Sequence, residues 1–258
     1  MTPVMRQAVR ISLAILACGV VFAAAACAQQ QGVPPSPITL ETNGGVVTIT
    51  PIYHASALIQ AGGNNIYIDP AKPGGFSGRP KADLILITDI HGDHMDPALI
   101  ASLSKDGTQI IAPPAVVETV KQASPISNGE TKTWNGWTIE AIPMYNFTRG
   151  PAPGQLYHPK GRGNGYVLTY GGKRIYFSGD TENIPEMRAL KNIDIAFVCM
   201  NLPYTMPPDE AAQAVKAFHP KIVYPYHYKG SDLSVFQKDL EGTGIKVELV
   251  DWYANLAH

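Results

Sequence analysis

Asp83-Leu84-Ile85-Leu86-Ile87-Thr88-Asp89-Ile90-His91-Gly92-Asp93-His94 is the stretch that decides how this chain is read. Residues 84–87 are an apolar, branched run with the length of a buried strand. The residues that follow place Asp89, His91, Asp93 and His94, all of them metal-ligand types, at the end of that strand. Such side chains converge on one point only if the strand closes in a tight turn, and Gly92 lowers the cost of one. Acidic residues also cap helices, and a helix is predicted just beyond, over residues 97–104. A cap needs one such residue and this segment offers four, so it reads as a metal-binding loop.

Upstream, residues 46–69 carry the pattern of two or three short strands. Gly62-Gly63-Asn64-Asn65 forms a turn between runs 57–60 and 66–68. Downstream, a strand at 109–112 and a helix at 115–121 precede further strands at 131–134, 137–143, 165–169 and 174–177. Helices at 185–190, 208–218 and 233–240 then alternate with strands at 194–198, 222–224 and 246–250. Hairpins in both halves, each followed by helices, predict an α/β chain with two sheets packed together and helices outside. The segment 146–164 is long for a connection inside a compact domain and is rich in Gly and Pro. Arg149, Lys160 and Arg162 give it positive charge, while Tyr145 and Tyr157 give it aromatic surface. It reads either as a flap over an anionic or carbonyl substrate or as a solvated loop.

With 258 residues and 45% hydrophobic composition, the chain suffices for one large domain with a substantial core. Residues 1–28 differ in kind: Arg6 and Arg10 precede an apolar run that ends in Ala26-Cys27-Ala28, the pattern of an export signal peptide. Residues 29–37, with glutamines, glycine and prolines, read as a linker, and 38–258 as the folded domain. Location is therefore expected to be periplasmic or secreted. Cys18 and Cys27 each follow small residues, which leaves a lipoprotein with a lipid anchor open as the alternative; no other membrane attachment is expected. Cys199 is the remaining cysteine and sits in an apolar run, as a buried strand residue would. Losing the leader leaves 18 basic against 21 acidic residues, with the cations scattered singly, so nucleic acid is not the expected partner.

Asp89-x-His91-x-Asp93-His94 resembles the H-x-H-x-D-H loop of the metallo-β-lactamase fold, with Asp in place of the first His. Asp69 in Ile68-Asp69-Pro70, Asp180 in Ser178-Gly179-Asp180-Thr181 and His227 in Pro225-Tyr226-His227 follow in that family's order. His54-Ala55-Ser56 and the closing Pro-x-His are similar to the branch holding the ascorbate-6-phosphate lactonase. The resemblance implies a four-layer αββα sandwich. It also implies a metal-dependent hydrolase acting through a metal-bound hydroxide on a small carbonyl or phosphoryl substrate: a lactone, an ester or a phosphodiester. His91 would serve one ion, Asp93, His94 and His227 a second, and Asp180 would bridge them, with Asp93, His94 and Asp180 closest to the chemistry. Zinc suits this mixed donor set, with manganese or iron as alternatives.

Two positions depart from the pattern. Asp89 replaces the first His and is expected to ligate the first ion through oxygen beside His91 and Asp180, and Met144-Tyr145-Asn146 stands where a third-motif His belongs. Tyr145 and Asn146 are weak ligands, so His158 is expected to reach back and complete the first centre; a single-metal site is the alternative. Asp69 is expected to support a ligating histidine from behind. His54 has no defined role in the pattern, Lys160 or Arg149 would stabilise developing negative charge, and His219 reads as a helix C-cap. The rival functional reading is an exported metal-binding protein without catalysis.

Overall fold

The computed structural model describes residues 36–254. The leader, most of the linker, Cys18 and Cys27 lie outside the described residues. The first sheet opens as an antiparallel meander of β1 (Ile38–Thr42), β2 (Gly45–Tyr53), β3 (Ser56–Ala61) and β4 (Asn64–Ile68). It continues in parallel through β5 (Leu84–Leu86), β6 (Gln109–Ala112) and β7 (Ser124–Pro125). The β3–β4 turn needs left-handed backbone at both central positions, and Gly62 and Gly63 supply it with φ of 57° and 77°. The second sheet repeats the plan. β8 (Thr131–Trp134), β9 (Trp137–Met144), β10 (Gly163–Tyr170) and β11 (Lys173–Phe177) are antiparallel, and β12 (Ile195–Cys199), β13 (Ile222–Tyr226) and β14 (Lys246–Val247) follow in parallel.

Strand alternation produces the layers. Leu58, Tyr67, Ile85 and Ile110 point to one face of the first sheet, where they bury Leu99, Ile100 and Leu103 of α1 (Pro97–Leu103). Their neighbours Ala57, Ile59, Ile66, Ile68, Leu84 and Leu86 point the other way and merge with Ile139, Val167, Phe177 and Phe197 of the second sheet. Behind that sheet lie α3 (Pro185–Arg188), α4 (Pro208–Phe218) and α5 (Leu233–Leu240), anchored by Met187, Ala211, Val215 and Phe236. This is the expected αββα sandwich. Strand β12 is buried along its whole length, as a parallel strand covered on both faces must be.

The helix read over 115–121 is shorter. α2 spans Pro114–Val117 and then tightens, with Glu118 N–H donating to the Val116 carbonyl. Val116, Val117, Thr119 and Val120 crowd that segment with β-branched side chains that lose χ1 freedom in a helix. The last strand likewise stops at Val247 instead of reaching residue 250.

Candidate metal centre

Most of the residues that feed the site do so from a strand end. Asp69 follows β4, the loop Thr88–His94 follows β5, Tyr145 and Asn146 follow β9, Asp180 follows β11 and His227 follows β13. His54 sits in the β2–β3 turn. The loop 88–94 closes through His94 N–H and Met95 N–H donating to the His91 carbonyl at 3.0 and 3.1 Å. Asp96 then caps α1 by accepting from Leu99 N–H. Gly92 was expected to make this turn affordable, yet its φ is not left-handed. The left-handed conformations fall instead on His54, Asp69 and His227, with φ of 53°, 44° and 49°. Non-glycine residues held there store strain that the surrounding structure must oppose.

His94, Asp180 and His227 place ligand atoms within 4.8 Å of one another, all three residues buried. His94 Nε2 lies 3.3 Å from Asp180 Oδ2, and His227 Nε2 lies 3.3 Å from Asp180 Oδ1. Asp93 joins through Oδ2, 3.5 Å from His227 Nε2 and 3.3 Å from His54 Nε2. Behind His94, Asp69 is fully buried. Its Oδ2 sits 2.8 Å from His94 Nδ1 and accepts from Thr88 Oγ1 at 2.6 Å, while its Oδ1 accepts from Thr88 N–H at 2.7 Å. That set fixes a proton on His94 Nδ1 and aims Nε2 at Asp180.

These residues fit a divalent cation. His94 Nε2, His227 Nε2 and Asp180 Oδ1 are buried and lack any hydrogen-bond partner, a state that costs about 1–3 kcal/mol per group unless something satisfies it. The charge points the same way. Burial works to raise the Asp180 carboxyl, but the His227 and His94 rings and the His158 hydrogen bond outweigh it and hold Asp180 well below the usual carboxylate range. Burial likewise works to lower His94, and Asp180, Asp69 and Asp93 together pull it well above the ordinary imidazole value. A buried point surrounded by three carboxylates attracts positive charge. His54 is the exception, lowered to about 4 by burial and by its neighbour His227, so it is a neutral imidazole at pH 7. Its Nδ1 lies 2.8 Å from Tyr253 Oη, and its ring packs on His227 at a centroid distance of 3.6 Å.

The other centre is built differently. Asp89, His91 and His158 also bring ligand atoms within 4.8 Å of one another. His158 does reach back to the site: its Nε2 is 3.2 Å from Asp180 Oδ2 and 3.9 Å from Asp89 Oδ2. Asn146, read as a weak ligand at the vacant place, holds His158, its Oδ1 accepting from His158 N–H at 2.8 Å and lying 2.7 Å from Nδ1. Its own Nδ2 donates to Glu182 and to the Tyr204 carbonyl.

Arg149 and Lys160, expected near the developing charge, stand elsewhere. Arg149 is held by Glu182 and Glu210, and Lys160 pairs with Glu186 at 2.7 Å and lies over the Tyr145 ring. Tyr145 itself donates to Glu186. The acidic residues that claim these cations lie far along the chain, out of reach of pattern reading. A cavity of about 480 Å³ opens over the metal-type residues and is lined besides by Tyr157, Asn201, Tyr204 and Lys229. Lys229 is the cation at this cavity, without a carboxylate partner among the described residues. The sequence signal for it was its position two residues after His227. Arg162, read only as loop charge, is bonded to Asp89.

Residues 48–227 match the model of the Beta-lactamase superfamily domain. The UPF0173 metal-dependent hydrolase of Thermus thermophilus is 30% identical over 194 residues, covering 71% of this chain and 84% of its own. A candidate metal-dependent hydrolase of Parabacteroides distasonis, known from its crystal structure, is 41% identical with a TM-score of 0.80, over 84% of this chain and 99% of its own. Igni18, a metallo hydrolase of Ignicoccus hospitalis, shares the fold at 24% identity with a TM-score of 0.65, over 79% of this chain and 94% of its own. Strand order, a strand-end cluster of His and Asp that fits a cation, and these likenesses together lead to one conclusion: the chain belongs to the metallo-β-lactamase superfamily, among its metal-dependent hydrolases.

Proposed function

We propose that this chain is an exported hydrolase of small molecules whose metal is zinc, held by Asp93, His94, Asp180 and His227. The observation that carries the reading is the convergence of His94 Nε2, His227 Nε2 and Asp180 Oδ1, all buried and unpartnered, beneath an open cavity. Bound there, a divalent ion supplies Lewis acidity and lowers the pKa of a coordinated water towards neutrality. The chain's own residues do the rest. Asp69 and Thr88 hold the proton on His94 Nδ1, so the ring faces the site as a lone-pair donor. Asp93 and Asp180 are both held ionised and offer no proton to a leaving group. Lys229 reaches the cavity as an ammonium, suited to a substrate carrying or developing negative charge. Tyr157 and Tyr204 stand edge to face at 5.0 Å and give the cavity an aromatic wall.

The substrate class is a lactone, ester or phosphodiester. The lactone leads because His54-Ala55-Ser56 and Pro225-Tyr226-His227 resemble the lactonase branch. Export rests on Arg6, Arg10, the apolar run and Ala26-Cys27-Ala28. Protein purified from the exporting host should begin at Gln29 by intact mass; a lipid-modified start at Cys18 or Cys27 replaces soluble export with anchoring. Function is tested by screening lactones, esters and phosphodiesters with wild-type protein and with Asp180→Ala. Wild type should turn over at least one class, and the variant should lose both metal and turnover. Bound metal without turnover in any class favours the metal-binding protein; undiminished turnover in Asp180→Ala removes that carboxylate from the site.

A further inference from the structure

At the first centre of the fold, the cation is already present as part of the chain. Asp89 is fully buried, and both its oxygens are taken by one guanidinium: Arg162 Nε donates to Oδ1 at 3.0 Å and Nη2 donates to Oδ2 at 2.8 Å. His91 is drawn into the same group, with Nδ1 3.0 Å from Asp89 Oδ2 and Nε2 3.3 Å from Arg162 Nη2. A fork of this kind satisfies a carboxylate in two directions at once, and arginine stays charged at any pH the protein meets. Spacing alone would admit an ion among Asp89, His91 and His158. The donors that remain once Arg162 is counted are His158 Nε2 and a shared Asp180 oxygen, fewer than the three protein ligands a catalytic zinc site uses. The second centre is the opposite case: His94 Nε2, His227 Nε2 and Asp180 Oδ1 lack hydrogen-bond partners, and no lysine or arginine among the described residues is paired with Asp93 or Asp180.

We propose that Arg162 replaces the first metal ion, so that the enzyme works with one divalent ion and a built-in guanidinium. Asp in place of the first histidine is what makes the exchange work, because a carboxylate can take both arms of the fork whereas a neutral imidazole offers one lone pair. His158 then serves as a positioning residue that steadies Asp180 instead of ligating an ion. The proposal rests on the metallohydrolase reading, and the metal count separates the two.

Chelator-stripped protein is reloaded with excess zinc, desalted, and its zinc measured by plasma mass spectrometry against protein concentration. Wild type should hold one ion per chain, Arg162→Met two, and His158→Ala one. A cobalt(II) titration of wild type should saturate its absorption at one equivalent. Zero ions in wild type sinks the metallohydrolase reading itself. Two ions in wild type, or one in a folded Arg162→Met, overturns the role of Arg162. If circular dichroism shows that Arg162→Met does not fold, wild type and His158→Ala decide. One ion in each upholds the proposal, and two falling to one refutes it.

Discussion

Replacing Asp69 by asparagine changes one buried atom and, through it, the direction in which His94 presents its lone pair. The carboxylate now accepts from Thr88 N–H, from Thr88 Oγ1 and from His94 Nδ1, at 2.7, 2.6 and 2.8 Å. In Asp69→Asn the amide keeps one oxygen for Thr88 N–H and turns its NH2 towards Thr88 Oγ1 and His94 Nδ1. Two donors then face each other unless the His94 proton moves to Nε2. There it meets Asp180 Oδ2, 3.3 Å away, as a hydrogen bond, and the nitrogen is lost as a ligand. Changes of this kind behind a ligating histidine cost about 10- to 100-fold in metal affinity, or roughly 1.4–2.7 kcal/mol. The metal-free fold should lose less than the loaded one, because the tautomer change restores a bond in the absence of metal. Zinc affinity measured by chelator competition, with melting in zinc and in chelator, tests this. A dissociation constant within twofold of wild type would refute the tautomer argument, as would an equal drop in melting temperature under both conditions.

Gly165→Ala should destabilise the fold. A Cβ there would sit 2.7 Å from the Ser178 carbonyl and 2.9 Å from that of Phe177, so backbone must move at about 1–3 kcal/mol, seen as a fall of roughly 3–10 °C in thermal midpoint. Cys199 should resist thiol reagents in native protein and react on unfolding, because burial pushes its thiol up to about 12; rapid labelling of native protein would contradict this. Lys229→Glu should raise KM for an anionic substrate about tenfold or more and change kcat little, with a smaller effect for a neutral analogue. Equal changes for both would remove charge recognition from Lys229.

The fold was legible because its signals are local. Strand runs such as 84–87 and 195–199, the paired glycines at 62–63 and the proline-led helices each carry their own pattern, and the two halves repeat it. The site was legible as far as motif order reaches: Asp69, Asp93, His94, Asp180 and His227 meet where strand ends meet. Charge partnership was not legible, because it is settled by folding. Lys160 and Arg149 looked available in the sequence and are claimed by Glu186, Glu182 and Glu210, whereas Arg162 looked incidental and holds Asp89. The strain at His54, Asp69 and His227 also escaped reading, since histidine and aspartate carry no sequence mark of a positive φ. Gly92, which does carry that mark, adopts an ordinary backbone.

The donors around the metal point come from opposite halves of the polypeptide: Asp93 and His94 leave the first sheet, Asp180 and His227 the second. An ion bound there is a clasp across two pieces of chain separated by more than eighty residues. Neither half holds a complete set, and the last of the four donors along the chain is His227. Loading is therefore a closing event, available only once residues 93–227 are all in place. A chain stopped before residue 227 lacks one of the four donors. Metal retention thus reads whether the two sheets have closed on each other.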